Sequence, residues 1–314
     1  MKKISFGRNQ YSQLILGTVQ LGMNYGISNA MGQPNRNQGI GIIHQALDLG
    51  VNTFDTAREY GTAEDILAAA KGENEEQRAL YVFTKFRINP EHEADLEKSW
   101  KEALEIVRKS LQVLNCKKVS GVLFHRSPLN DLEKFSKILP EIIRRLKENK
   151  LIEYGGLSAH YPGDILYALD EADLEIIQVP CNLFDHRFLR LVPAKLKDKL
   201  IVARSVFLQG LFFLNPDKLS GAMEVAREPL IRLREIARHY DRTIAQLAVA
   251  FVRDQPQVDC LVIGALTPDQ IIENINLVNQ SAVSKRVCEE IKNSFSEMDQ
   301  FIITPALWPQ DKLL

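Results

Sequence analysis

Short, mostly apolar runs recur along this chain, and apolar residues return at helical spacing in the stretches between them. The runs are Gln13–Leu16, Val51–Phe54, Ala79–Lys85, Val119–Phe124, Ile152–Ser158, Leu174–Val179, Leu200–Ser205 and Asp259–Gly264. Near-continuous apolar runs of this length mark strands covered on both faces. Ile4–Phe6 is a further short candidate. It either pairs with Gln13–Leu16 as a hairpin or supplies the first strand itself, and Gln13–Leu16 is favoured as the strand. Ile40–Leu49 has helical spacing and stops at Gly50, a residue suited to the position just past a helix end. Glu93–Leu114 sets Leu96, Trp100, Leu104, Val107 and Leu111 on one stripe. Leu132–Asn149 reads as helical, with Pro140 its start or a kink. Thr62-Ala-Glu-Asp65 and Thr267-Pro-Asp-Gln270 have the pattern of capping boxes, the second with proline at the first helical position.

Eight strand-like runs separated by helical patterns, with no break in composition, predict an α/β protein. The expected architecture is a (β/α)8 TIM barrel of a single domain spanning residues 1–314. A doubly wound sheet is the competing arrangement, but the GxGxxG turn it carries is absent. Ser284–Leu314, with Ile291, Phe295 and Phe301, reads as a C-terminal tail helix against the outside of the barrel, followed by an extended end.

Composition narrows the function classes. Hydrophobic residues make up 45% and charged residues 25% of the chain, an ordinary globular balance. A formal net charge of −1 gives no attraction for nucleic acid or an anionic membrane. No apolar run approaches the roughly 18 residues of a membrane span. Met1-Lys-Lys is followed by Ser5, Arg8, Asn9 and Gln10 where a secretory signal would need its apolar core, so a cytoplasmic protein is expected. Cys116, Cys181, Cys260 and Cys288 are far apart and suggest neither a disulfide framework nor a metal site.

Four polar residues fall at or just beyond the ends of expected strands: Asp55, Tyr60, Lys85 and His125. In a parallel barrel that edge carries the chemistry. Singly, each has an ordinary explanation as a helix cap, loop packing, a solvated rim charge or a backbone-satisfied ring. Together, with Asp55-Thr-Ala-Arg-Glu-Tyr60-Gly61 and Glu64 following, they resemble the signature of the aldo-keto reductases, (β/α)8 barrels that reduce carbonyls with NAD(P)H. The resemblance implies that Tyr60 donates the proton and Lys85 eases its release. It also implies that Asp55 keeps Lys85 cationic and oriented, while His125 donates to the substrate oxygen. The chemistry is coherent: a free tyrosine titrates near pH ~10, and an adjacent ammonium stabilises the phenolate. General acid catalysis of this kind contributes roughly 10²–10⁴-fold.

The resemblance extends from about Ser12 to Val278 and implies a nucleotide site. Turns at Gly17 and Gly22 would let backbone approach the cofactor, and Thr18 stands beside the first as a further cofactor contact. Ser158 and Gln178 match residues that bind the nicotinamide carboxamide; Ala159 stands where an asparagine usually follows the serine, with His160 the candidate replacement. Arg204 replaces a stacking aromatic and is planar enough to stack in its place. Ser205, Leu208, Gln209 and Gly210 would flank the pyrophosphate. Ile263 and Gly264 lead into a helix start suited to phosphate, on which Gln270 and Asn274 share one face and match an adenine-side pair. NADP(H) is the favoured cofactor. NAD(H) is the alternative, because the basic residue that usually grips the 2′-phosphate falls at Leu266 or Thr267.

The implied function is an NAD(P)H-dependent oxidoreductase that reduces an aldehyde or ketone to an alcohol, or runs the reverse reaction. A non-catalytic nucleotide-binding subunit that regulates a partner is the first alternative. A barrel lyase or isomerase with Lys85 as a Schiff-base nucleophile is the second; it leaves Tyr60, Gln178 and the Gln270/Asn274 pair without a role. Arg58, Arg126, Arg187 and Arg204 predict a basic mouth, hence an anionic or sugar-like small-molecule carbonyl. In the family such a tail approaches the mouth, so Ala306-Leu-Trp308-Pro309 either lines the substrate pocket or covers the barrel wall. A monomer or small homo-oligomer is expected.

Overall fold

The apolar runs pair in parallel and close on themselves. The structure is a computed structural model that describes all residues except 73–79, 193–195, 197 and 309–314. An antiparallel hairpin, β1 (Lys3–Phe6) with β2 (Asn9–Ser12), comes first. The barrel follows as β3 (Leu14–Gly17), β4 (Thr53–Asp55), β5 (Tyr81–Phe86) and β6 (Val119–His125). It continues with β7 (Ile152–Ser158), β8 (Ile176–Pro180), β9 (Leu200–Arg204) and β10 (Cys260–Gly264). Each strand neighbours the next in the chain, and β10 closes onto β3 in register from Leu261 against Leu14 to Gly264 against Gly17. The expected barrel is therefore present. Lys3–Phe6 pairs with Asn9–Ser12, ahead of the first barrel strand. Ala79, the expected start of the third run, lies outside the described residues.

Ile4 and Tyr11 of the hairpin pack with Ile15, Phe83, Leu123, Ile176 and Val202 inside the barrel. The hairpin thus stoppers the amino-terminal end, and polar side chains gather at the carboxyl end. A second, larger core lies between the strands and the surrounding helices. The helix Leu132–Glu148 shows the usual amphipathic logic: Phe135, Leu139, Ile142 and Leu146 face inward. Asp131 caps it, and Pro140 sits inside it.

Three local expectations change. Thr62 precedes the helix Ala63–Lys71 without a side-chain cap bond; its hydroxyl meets the Gly22 carbonyl at 3.4 Å, and Glu64 turns inward to other partners. Thr267 does cap, accepting from Gln270 N at 3.2 Å, but the Gln270 side chain accepts from Leu266 N and not from Thr267 N. Between β8 and β9 the described residues hold only the 3-10 turn Arg187–Arg190, where a full helix was expected. Asn182 explains the bend, since its Oδ1 accepts from the backbone of both Phe184 and Asp185 and closes an Asx turn straight after the strand.

The tail helix is Lys285–Ser294, followed by the short helix Gln300–Ile303. Trp308 is 4% exposed, belongs to the outer core and donates its indole N–H to the Phe301 carbonyl at 2.7 Å. It covers the wall; Pro309 and the expected extended end lie outside the described residues. No helix among the described residues is long and apolar enough to cross a membrane.

Candidate active site

Asp55 ends β4, Lys85 is the penultimate residue of β5, and His125 ends β6. Tyr60 stands on the loop after β4. Barrel closure brings these neighbouring strand ends together. Lys85 Nζ lies 2.8 and 2.7 Å from the two Asp55 carboxylate oxygens, 3.1 Å from the Thr56 carbonyl and 3.3 Å from the Tyr60 hydroxyl. The lysine side chain is 1% exposed. Burial alone would lower its pKa, but the Asp55 carboxylate, with Tyr60, outweighs burial and raises it above the ordinary lysine value. Lys85 is thus held by its neighbours as an ammonium, a state that favours stabilising a phenolate over acting as a free-amine nucleophile. The His125 ring stands edge-on to Tyr60, centroids 6.1 Å apart.

Behind the four runs a chain of amides and hydroxyls. Ser158 Oγ donates to Gln178 Oε1 at 3.1 Å, and Gln178 Nε2 donates to Asp55 Oδ1 at 2.8 Å. Thr18 Oγ1 donates to the Asp55 carbonyl at 3.0 Å. Of two expected nucleotide residues, Gln178 thus bonds the carboxylate that orients Lys85, and Ser158 reaches it through Gln178.

The stretch after β9 is conformationally unusual. Ser205, Leu208, Gln209 and Gly210 have φ of 61°, 47°, 53° and 92°. Left-handed backbone costs a non-glycine residue about 1–2 kcal/mol, and such strain concentrates at ligand sites. The loop after β3 closes over this stretch: Ile27 N donates to the Gln209 carbonyl at 3.0 Å. A Cβ on Gly210 would stand 1.9 Å from Ser28 Oγ. Gly17 and Gly264 are tight in the same way, a Cβ on Gly264 falling 2.4 Å from Gln20 Oε1. Asn274 Nδ2 donates to the Gly264 carbonyl at 3.1 Å, and its oxygen accepts no hydrogen bond among the described residues; Ile263 is buried in the outer core.

The arginines do not make a basic mouth. Arg58 pairs with Glu64 at 2.6 Å and Arg187 with Asp185 at 2.8 Å. Arg126 Nε lies 2.7 Å from Asp164 Oδ1, though off the N–H axis. Neutralisation by neighbouring carboxylates was invisible in the linear chain. Arg204 has no carboxylate partner among the described residues; it donates to the Ala159 carbonyl at 2.8 Å and to Ser205 Oγ at 3.1 Å. His160 lies beside it. Burial first, then the Arg204 charge, pushes the His160 pKa down to about 2, so the ring is neutral.

Tyr25, Glu59 and Arg87 also lie beside these residues; Glu59 stood in the signature without a role assigned to it, and Tyr25 and Arg87 gave no signal in the sequence. Tyr25 lay in a loop read only as rich in Gly, Asn and Pro; it is packed beside Tyr60, Arg204 and Gln209, and burial raises its pKa to about 12. Glu59 Oε2 is 3.3 Å from His125 Nδ1 and 2.6 Å from Arg87 Nε. A separate cavity of about 180 Å³ lies between Phe184, Arg187, Arg190, Phe295 and Met298, and none of the four central residues lines it. No cluster of metal-ligating side chains occurs among the described residues.

Comparisons with known proteins cover nearly the whole chain. The model of the aldo/keto reductase family matches residues 13–294. The chain is 25% identical over 319 aligned positions to the uncharacterized oxidoreductase YqkF of Bacillus subtilis (strain 168), covering 96% of this chain and 98% of that one. It is 24% identical to the D-threo-aldose 1-dehydrogenase of a Pseudomonas species, covering 74% and 80% respectively. The holo form of an aldo-keto reductase from Bacillus halodurans shares the fold with a TM-score of 0.75 over 99% of both chains, at 21% identity.

Proposed function

The chain belongs to the aldo/keto reductase family, and we propose that it interconverts a carbonyl and an alcohol with NAD(P)(H), Tyr60 exchanging the proton with the substrate oxygen. One observation carries this: Lys85 Nζ touches both oxygens of Asp55 and the hydroxyl of Tyr60 at once. The ammonium stabilises a phenolate, Asp55 keeps the ammonium charged and aimed, and the T-shaped His125 bounds the place where a substrate oxygen would sit. The nicotinamide supplies the hydride when bound.

The residues present suit a dinucleotide. The Ser158–Gln178 pair offers an amide matched to a carboxamide, the left-handed backbone at Ser205–Gly210 allows close approach of a pyrophosphate, and the Asn274 oxygen accepts no hydrogen bond among the described residues. A 2′-phosphate is less well provided for. No lysine or arginine occurs from 264 to 279, and Asp269 adds negative charge in the first turn of that helix. This supports NAD(H) over the NADP(H) that the family resemblance favours.

The neutralised arginines, together with the D-threo-aldose 1-dehydrogenase relative, support a neutral sugar-like substrate over an anionic one. A purely regulatory role has no use for a buried, fully paired Lys85 beside a tyrosine. The deciding experiment is a fluorescence titration with NADH and NADPH, followed by a screen of neutral aldoses, glyceraldehyde and sugar phosphates. Saturable binding with turnover of neutral aldoses is expected. Binding of neither nucleotide by the folded protein would sink the assignment.

A further inference from the structure

Thr84 and Lys85 are consecutive in β5, so their side chains leave the strand on opposite faces. Lys85 turns into the barrel and reaches the Tyr60 hydroxyl. Thr84 turns outward, is buried, and donates its hydroxyl to Glu64 Oε1 at 2.7 Å. Glu64 lies in the first turn of the helix Ala63–Lys71, and its side chain is 0% exposed. Its other oxygen, Oε2, accepts from Arg58 Nη1 at 2.6 Å. The same guanidinium donates through Nη2 to the Gly61 carbonyl at 3.1 Å. Arg58 precedes Tyr60 and Gly61 follows it, so the guanidinium closes the loop around the tyrosine. One buried carboxylate therefore holds the strand of Lys85 by one oxygen and the loop of Tyr60 by the other.

The tie acts where the site needs it. Of the contacts of Lys85 Nζ, the one to the Tyr60 hydroxyl is the longest, 3.3 Å against 2.7–3.1 Å to Asp55 and Thr56. Asp55 and Thr56 fix the ammonium, whereas the hydroxyl stands on a loop and depends on what holds that loop. The Glu59–Arg87 pair also spans loop and strand end, but both its members are half-exposed, and such pairs hold weakly. A buried ion pair is itself a poor stability device, since apolar residues of the same volume are often as stable. We propose that Glu64 is a positioning residue that, through Arg58 and Thr84, sets the separation of the Tyr60 hydroxyl from Lys85 Nζ. This rests on the carbonyl–alcohol reading of the site and deepens it. Closed off from solvent, Glu64 acts through its two partners. Asp65, half-exposed and 3.9 Å from Arg58 Nη2, is the carboxylate to which the guanidinium turns when Glu64 loses its charge, and the turn draws it off Gly61.

The test compares crystal structures of the full chain as parent, Glu64→Gln and Thr84→Val. Thr84→Val removes one hydroxyl, keeps a β-branched residue in the strand and leaves the Glu64–Arg58 pair in place. The distance from Tyr60 Oη to Lys85 Nζ is expected to pass hydrogen-bond reach, about 3.5 Å, in Glu64→Gln and to lengthen by less in Thr84→Val. An unchanged distance in Thr84→Val, or in Glu64→Gln where that variant folds, would overturn the proposal. Neither nucleotide nor substrate is needed, so this result stands apart from the titration that decides the enzyme assignment. In kinetics, Glu64→Gln is expected to lower kcat by roughly ten- to a hundredfold, the scale of a 1 Å misplacement, with nucleotide Kd within about twofold of the parent. Because the effect runs through the tyrosine, the same substitution in Tyr60→Phe should change kcat by less than about twofold. An equal loss of kcat in both backgrounds would make Glu64 general support for the barrel end and would also count against the proposal.

Discussion

Gln178 Nε2 donates to Asp55 Oδ1 over 2.8 Å, and the same oxygen accepts from Lys85. A residue expected at the nicotinamide thereby completes the hydrogen bonding of the carboxylate that steers the proton donor's cation. Gln178→Ala should consequently damage two properties at once. The loss of a hydrogen bond to a charged group, about 1.5–3 kcal/mol, should lower unfolding stability by that amount and weaken nucleotide binding by roughly tenfold or more. Urea unfolding and a nucleotide titration on the same variant check both; unchanged nucleotide affinity would remove Gln178 from the cofactor site.

Tyr60 and Lys85 should separate cleanly. Tyr60→Phe is expected to fold and bind nucleotide like the parent while losing about 10²–10⁴-fold in kcat. Lys85→Met leaves the buried Asp55 carboxylate without its cation and should cost about 3–5 kcal/mol of stability as well as activity. Steady-state kinetics beside denaturant melts of the two variants distinguish the roles.

The pKa of Lys85 is raised on folding, so its contribution to stability is fully present below its unfolded value of 10.5 and is lost as pH climbs through the higher folded value. His160 behaves in the opposite sense. Its pKa falls from 6.5 to about 2, so the folded state resists a proton that the unfolded chain takes up. Stability tied to His160 is present above pH 6.5 and declines as pH falls below it. The difference in urea midpoint between the parent and His160→Asn should therefore shrink between pH 7 and pH 4. A constant difference would show that His160 is not held neutral by burial.

Gly210→Ala introduces a Cβ 1.9 Å from Ser28 Oγ at a φ of 92°. The loop after β3 must then move off the Ser205–Gly210 stretch, and stability should fall by about 1–3 kcal/mol with weaker nucleotide binding. Adding Ser28→Gly relieves the clash but not the backbone strain, so partial recovery is expected from isothermal titration of the single and double variants.

Nucleotide choice is open to the same reasoning. Leu266→Arg places a cation beside the start of the Pro268–Asn279 helix and should raise NADPH affinity by roughly tenfold relative to NADH, about one charge-assisted hydrogen bond. No change in the ratio would put the adenine end of the nucleotide elsewhere.

The barrel was legible in the chain because buried parallel strands are written as continuous apolar runs, and because turn and cap residues act within a few positions. The positions of Asp55, Lys85 and His125 at the ends of such runs, and of Tyr60 on the loop beyond one, were legible for the same reason. What tertiary structure alone decided is the set of partners between strands. Gln178 reaches Asp55 across 123 positions, Arg126 finds Asp164, and Glu59 meets both Arg87 and His125. The helix missing between β8 and β9 and the left-handed residues after β9 belong with these. Periodicity records which face of an element is buried. It carries no information on which charges meet once eight strands close, and that closure is what brings Asp55, Tyr60, Lys85 and His125 together.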